Sequence, residues 1–157
     1  MAQRIRLNKL NVARQAMDLQ RYFPDSKVSV GPGRLTWIGR ITPSPLSATY
    51  VVEIRYSGYR RPVITVVSPP LTPPTGKCLK HVFAGDHPCV HFHDEWDASM
   101  SIATTIVPWT SEWLLHHEIF VATGQWTGGG HELESSPKSE PIKRGDVGNR
   151  PRGSRRE

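Results

Sequence analysis

A cysteine lies among histidines and acids in the stretch "DHPCVHFHDEW", residues 86–96. Cys89 follows a Gly-Asp-His-Pro turn, and the nearest ionisable side chains are those of Asp86, His87 and His91. A thiolate is a strong nucleophile, which a protonated imidazole stabilises and a neutral imidazole generates by accepting the thiol proton. These residue types therefore fit covalent catalysis at Cys89. They fit a structural thiol equally well, because a free cysteine often behaves as a small buried hydrophobe.

Zinc binding is a third role that the residues of this stretch could serve, beside covalent catalysis and a structural thiol. His87, Cys89, His91 and His93 alternate, so an extended chain would place them on one face. At roughly 3.3 Å per residue, however, three alternate ligands spread over about 13 Å, too far for one tetrahedron with bonds of about 2.0–2.3 Å. No Cys-x-x-Cys or His-x-x-x-His pair occurs outside this stretch. We therefore expect no metal and no other cofactor, and keep metal binding as an alternative.

The whole chain has the composition of one globular domain. Of its 157 residues 37% are hydrophobic and 22% charged, and no apolar run approaches the roughly 20 residues of a membrane span. The N-terminal stretch "MAQRIRLNKLNVARQ" lacks the apolar core of a secretion signal. We therefore expect a cytoplasmic protein in which Cys78 and Cys89 are free thiols.

Most of the basic charge belongs to the C-terminal tail. The net charge is +6, and the residues after Ser136 contribute four of these six charges. Residues 133–157 are rich in Gly, Pro, Ser and Arg and contain few large apolar groups, which predicts a disordered tail after a domain of residues 1–132. Such a charge run is usually solvated, and attraction to nucleic acid or to an acidic partner is the alternative. His131, just before the tail, is a further candidate to fold back to the site.

The elements that position Cys89 begin with a helix and three strands. Apolar residues recur at spacings of three or four over residues 3–22, which predicts an amphipathic helix that ends before Pro24. Runs rich in β-branched residues predict strands at about 35–41, 49–56 and 62–68. Because short connections join them, we expect an antiparallel meander.

The residues between the predicted strands and the cysteine differ from the strands in composition. Residues 68–78 contain four prolines, which predicts an ordered surface segment without helix or central strand. Residues 79–93 predict an extended stretch around "HVF", a turn at "AGDHP" and a second extended stretch, "CVHFH". Cys89 is thus expected immediately after a fixed turn, where functional residues are common.

Helices are predicted between the cysteine region and the tail. A helix is expected to begin near Ser99 or Ser101 and to break before Pro108. A second helix is expected to begin with Ser111 as its N-cap and to end at Gly124. The predicted class is α+β, with the N-terminal helix packed on the antiparallel sheet.

The ordered motifs resemble the ubiquitin-conjugating enzyme family. They are, in chain order, "WIGRI-x-PS", "TYVVEIRY", "RPVITVVSPPL", "KHVF", "HPCVHF", "EW" and "IATTIVPWTSEWLLHHE". The segments "TIVPW-x-x-EWL" and "TG-x-WTGGGH" most resemble compact bacterial members encoded in anti-phage CBASS operons, beside a cyclic-nucleotide synthase resembling cGAS. The resemblance covers residues 5 to 131 and implies the ubiquitin-conjugating fold.

The resemblance implies that Cys89 accepts an acyl group as a thioester and passes it to an amine. It places His81, in "KHVF", where eukaryotic members have a His-Pro-Asn motif, although Val82 and Phe83 follow here and the asparagine is missing. Stabilisation of the tetrahedral oxyanion then falls to His81, to a backbone N–H near residues 85–88, or to no group. His87, Asp86 and Trp109 are candidate supporting residues: Asp86 would orient an imidazole or lower the pKa of an attacking lysine, and Trp109 would position or gate the site.

The resemblance also implies partners. The acyl group would be the C-terminal glycyl carboxyl of a protein, the cGAS-like nucleotidyltransferase in the CBASS setting, and its acceptor a lysine. The chain has no G-x-x-x-x-G-K-[ST] loop, so activation by ATP would need a separate activating enzyme or another route of loading. We expect neither a membrane nor a nucleic-acid partner. A non-catalytic protein-binding module of the same fold, and a metal- or nucleic-acid-binding protein, are the alternatives.

Overall fold

The computed structural model of the protein describes residues 9–129. In chain order its elements are α1 (Val12–Tyr22), β1 (Lys27–Gly31), β2 (Arg34–Ile41), β3 (Tyr50–Tyr56), β4 (Val63–Ser68), β5 (Val82–Phe83), β6 (His87–Pro88), a single 3-10 turn (Ile102–Thr104) and α2 (Ile106–Thr123). The predicted α+β class is confirmed. The predicted basic tail, His131 and the first part of the predicted N-terminal helix lie outside the described residues.

The main sheet is an antiparallel meander in the order β1-β2-β3-β4. The three predicted strands correspond to β2, β3 and β4. The prediction missed β1, which pairs with β2 through a tight turn at Pro32 and Gly33, where Gly33 adopts φ +62. This strand is short and mostly exposed, so its sequence lacks the run of buried β-branched residues that marks the other three.

Helix α1 begins later than predicted. Asn11 has an extended backbone, and its side-chain oxygen accepts the Arg14 N–H at 2.8 Å. This is the geometry of an N-cap, so the helix begins at Val12 and residues 9–11 are not helical. The helix ends at Tyr22, before Pro24, as predicted.

The buried face of α1 includes a polar residue. Gln15, Ala16 and Leu19 are buried, whereas Met17 is 66% exposed. Gln15 is buried because its amide bonds main-chain groups of the segment that precedes α2. A polar side chain with two such partners replaces an apolar one in the packing of this helix.

Helix α2 runs through Pro108, where a break was predicted. The helix begins at Ile106, so Pro108 lies in its first turn, where its missing N–H removes no intrahelical hydrogen bond. Ser111 therefore lies inside the helix and is not an N-cap. Gly124 ends α2 as predicted, with φ +74 and its N–H donating to the Phe120 carbonyl. None of the helices within residues 9–129 has the length and apolar character needed to cross a bilayer.

One buried cluster joins the helices to the sheet. Trp37, Val52 and Ile54 of the sheet are fully buried together with Leu19 of α1 and Leu114 of α2. The carboxylate of Glu118 on α2 accepts hydrogen bonds from the Ala48 N–H and the Tyr50 hydroxyl just before and within β3. Burial and this carboxylate raise the pKa of Tyr50 to about 12.

The proline-rich segment crosses the surface without regular structure, as predicted. The Ser68–Pro69 peptide bond is cis. Leu71 packs against the core, and the Lys77 ammonium donates to the Gly124 carbonyl at the C-terminal end of α2. A positive charge is favourable there because the free carbonyls of a helix end carry partial negative charge.

Candidate functional site

Cys89 follows a small hairpin that packs on the main sheet. Strands β5 and β6 pair antiparallel, with Phe83 opposite His87 and Val82 opposite Pro88. The turn between them contains Gly85 at φ +85 and the exposed Asp86 at φ +58. The predicted extended stretch around "HVF" corresponds to β5. The second strand was predicted at "CVHFH" but lies earlier, at His87–Pro88 within the predicted turn, and Cys89 and the residues after it are not strand.

The main chain of Cys89 is fixed to that of His81. The Cys89 N–H donates to the His81 carbonyl at 2.8 Å, and the Trp113 indole N–H donates to the same oxygen at 3.1 Å. His81 itself adopts the left-handed conformation, with φ +50. The candidate histidine and cysteine thus lie side by side, and α2 contributes one of the bonds that hold them.

The thiol of Cys89 is half-buried. Its Sγ donates to the His91 carbonyl at 3.6 Å, a contact that only the protonated thiol makes. Burial raises the pKa of Cys89, and the positive charge of Arg61 offsets part of that rise. The resting thiol is therefore mainly protonated near neutral pH, and it must lose its proton before it attacks.

Arg61 is a residue that the sequence did not point to. It follows β3 in the turn "SGYRR", 28 positions before Cys89, and its guanidinium lies 4.4 Å from the centre of the Phe83 ring. Histidines were the residues expected to stabilise a thiolate, whereas the side-chain charge that lowers the pKa of Cys89 is that of Arg61. No local signal marks this arginine, because only the fold brings β4 and the hairpin together.

The ring of His81 packs in an aromatic cluster. Its centre lies 5.0 Å from that of Trp126, which in turn lies 5.7 Å from Trp113 and 6.2 Å from Phe120. Trp126 belongs to the segment after α2, so the chain returns to cover this side of the site.

His87 is bound to the main sheet. Its Nδ1 lies 2.9 Å from the Ile64 carbonyl and 3.2 Å from the Thr65 hydroxyl on β4. Because a carbonyl only accepts, Nδ1 carries the proton, and Nε2 is the free acceptor of the neutral ring. The clearest effect of His87 is to hold the hairpin that carries Cys89 against β4.

Trp109 reaches the cysteine loop through His91. Its half-buried ring lies 5.8 Å from the His91 ring, centre to centre, and His91 is the residue whose carbonyl accepts the Cys89 thiol. The first turn of α2 and the residues after Cys89 are therefore in contact. Of the predicted supporting residues, Trp109 lies beside the loop, His87 holds the hairpin and Asp86 lies exposed at its turn.

An open groove with a volume of about 1000 Å³ begins beside this loop. We call it the basic groove; the residues of its lining that matter below are Lys9, Arg34, Arg55, Tyr56, Arg60 and Arg61. His91 and Trp96 also line it, so the groove shares a wall with the segment after Cys89. Within residues 9–129 no three histidines, cysteines or acids gather in a group that would hold a metal ion.

The comparisons with known proteins identify the family. A family model described as "Type II CBASS E2 protein" matches residues 15–133, well over half of the chain, and the match includes the sheet, the cysteine hairpin and α2. No curated protein matches the chain. The predicted relationship to CBASS proteins is confirmed. The chain thus belongs to the family of type II CBASS E2 proteins, which gives it an E2-like role in anti-phage defence.

Proposed function

We propose that the protein is a cysteine-dependent acyltransferase of the ubiquitin-conjugating type. Cys89 takes the C-terminal glycyl carboxyl of a protein partner as a thioester and passes it to a lysine. The observation that carries the proposal is a half-buried thiol, fixed beside His81 at the end of a hairpin, in a chain of an E2 family. The N-terminal helix, four-stranded meander and C-terminal helix fit the ubiquitin-conjugating fold that the motifs resemble.

The proposed reaction has two acyl transfers. The Cys89 thiolate attacks an already activated glycyl carbonyl, such as a thioester on a separate activating enzyme; the new S–C bond forms as the old one breaks, and the first thiol leaves. A lysine amine then attacks the Cys89 thioester, forms the amide and releases the Cys89 thiol. The proton lost by the amine passes to that sulfur or to solvent.

The oxyanion of both tetrahedral intermediates needs a hydrogen-bond donor. The Cys89 N–H already donates to the His81 carbonyl, so it is committed elsewhere. The side chain of His81 is the first candidate, and the N–H groups of the turn at residues 84–87 are the alternative. His87 and Trp109 act as positioning residues that hold the hairpin and the loop, while Asp86 would meet the incoming lysine.

The proposed partner is the nucleotidyltransferase of the same defence operon. This follows from the CBASS family and from the resemblance to members encoded beside a cGAS-like synthase. The proposed setting is cytoplasmic, where the thiols of Cys78 and Cys89 stay reduced. Activation by ATP is assigned to another protein, because the chain carries no phosphate-binding loop of the Walker type.

Intact-mass spectrometry of the protein co-expressed with its operon neighbours tests the proposal. Wild type and a Cys78→Ala control are expected to carry a protein adduct that reducing agent removes, whereas Cys89→Ala carries none. An adduct that survives on Cys89→Ala, or that disappears with Cys78→Ala, would contradict the assignment of Cys89.

A non-catalytic binding module is the second candidate. The raised pKa of Cys89 favours it, because a transferase gains from a thiol that ionises readily. In this case Cys89→Ala would protect cells from phage as well as wild type does. Loss of protection by Cys89→Ala, in a variant that melts like wild type, would exclude it.

A further inference from the structure

The basic groove carries a strong excess of positive charge. Five cationic side chains line it, against the single carboxylate of Asp97. That carboxylate already accepts hydrogen bonds from the N–H and hydroxyl of Ser99. Of the five cations, only Arg55 forms an ion pair among the described residues, with Glu53 at 3.2 Å. The groove therefore offers unneutralised positive charge to a ligand.

Two of these arginines are held in place without being neutralised. The Arg61 guanidinium lies over the Phe83 ring at 4.4 Å, and that of Arg60 lies 5.9 Å from the Tyr59 ring. A cation over an aromatic face loses freedom but keeps its charge and most of its N–H donors. Arginines positioned in this way are well suited to bind carboxylates, with which their planar donors form paired hydrogen bonds.

The groove is lined by two residues that act on the cysteine. Arg61 lines it and lowers the pKa of Cys89, while His91 lines it and accepts the Cys89 thiol through its carbonyl. A ligand in the groove would thus contact two residues that act on Cys89, although Cys89 itself is not part of the lining. The volume of about 1000 Å³ is at the upper end of the roughly 300–1,000 Å³ of small-molecule sites, so a peptide segment has room.

We propose that the basic groove binds an acidic, carboxylate-rich peptide segment of the protein partner, close to the chain end that reaches Cys89. The inference rests on the proposed function for what the peptide delivers, because a thioester at Cys89 requires a chain terminus in this place. That requirement favours a peptide over a nucleic acid, although both are anionic. The groove would then select partners by charge before any covalent step.

Fluorescence anisotropy on the Cys89→Ala protein tests binding separately from chemistry. The probes are a labelled peptide of repeating Glu-Ser units ending in glycine, its Gln-Ser counterpart, and a labelled single-stranded DNA. Arg34→Glu is the groove variant. Arg40→Glu is the matched control, because Arg40 is exposed on the same face of β2, about 20 Å from Arg34, outside the groove.

The Glu-Ser peptide is expected to bind, and its affinity is expected to fall with added salt. Its affinity should also fall about tenfold in the groove variant but not in Arg40→Glu. Equal binding of the Gln-Ser peptide, equal loss in Arg40→Glu, or tighter binding of the DNA would each overturn the inference. Because Cys89→Ala cannot form a thioester, peptide binding without any adduct on wild type would contradict only the proposed function. An adduct on wild type without peptide binding would contradict only this inference.

Discussion

The His81 carbonyl accepts the Cys89 N–H at 2.8 Å, which fixes two residues eight positions apart in the chain. The bond is made by the main chain, so it survives replacement of either side chain. The ring of His81 is held separately, against Trp126 at 5.0 Å. Backbone placement and side-chain chemistry at this site can therefore be tested independently.

His81→Ala is expected to slow release of the acyl group from Cys89 to free lysine by about 10²-fold, because it removes the proposed oxyanion donor. His81→Asn should recover part of the rate, since an amide also donates and asparagine tolerates the positive φ of 50 at this position. The measurement is single-turnover discharge of the loaded protein, with exposed His93→Ala as the control. Equal rates in wild type and His81→Ala would contradict the role of the ring.

Arg61→Ala is expected to make Cys89 harder to ionise. The positive charge of Arg61 lowers the pKa of Cys89 against the effect of burial, so its removal raises that pKa further. In a Cys78→Ala background, the rate of alkylation by iodoacetamide should rise only at a higher pH than in the parent. Arg61→Lys keeps the charge and should restore most of the profile. Identical profiles for all three proteins would show that Arg61 does not act on the thiol.

Acid should destabilise the fold through His117. This residue is buried and stacked on Trp113, and burial lowers its pKa. The pKa of His117 is lower in the folded protein than in the unfolded chain, so the unfolded chain takes up the proton first as the pH falls. The free energy of unfolding is therefore highest above the ordinary histidine pKa of about 6.5 and decreases as the pH falls below it.

Urea midpoints at about pH 7.5 and about pH 5.5 measure this loss. His117→Phe is expected to reduce the difference between the two midpoints, whereas His93→Gln, at an exposed histidine, should leave it unchanged. If His117→Phe shows the same acid sensitivity as wild type, another group is responsible.

Gln15→Leu is expected to destabilise the protein by about 2–4 kcal/mol. The Gln15 amide donates to the Met100 carbonyl at 2.7 Å and accepts the Ile102 N–H at 2.8 Å, and leucine would leave both main-chain groups without these partners. Gln20→Leu is the matched control on the exposed side of α1, with an expected effect within about 0.5 kcal/mol. Urea unfolding measures both, and equal effects would contradict the role of the buried amide.

The sequence predicted the elements whose signals are local. The strands β2 to β4 have β-branched residues at short spacings, and Pro24 and Gly124 mark helix ends by their backbone geometry. The break predicted at Pro108 was wrong because the effect of a proline depends on its distance from the helix start. That start depends on Thr105, whose hydroxyl donates to Ser101 and accepts the Trp96 indole N–H.

The candidate site was predictable only in part. Local signals predicted the turn before Cys89, whereas the place of His81 beside it was implied only by the resemblance to the ubiquitin-conjugating family. Arg61 and Tyr56 could not be predicted, because they meet the cysteine loop and the groove through pairing of β3 and β4 and packing of the hairpin on the sheet. Contacts of this kind depend on tertiary structure and leave no periodic signal in the sequence.

The most direct test of the central claim is to locate the bond at position 89. A serine oxygen forms an ester that resists mild reducing agents, so Cys89→Ser should trap the proposed intermediate. Tandem mass spectrometry of that variant, purified after co-expression with its operon neighbours, is expected to find the C-terminal glycine of the partner joined to residue 89. An unmodified residue 89 in Cys89→Ser and in wild type, with phage protection intact in Cys89→Ala, would contradict the account.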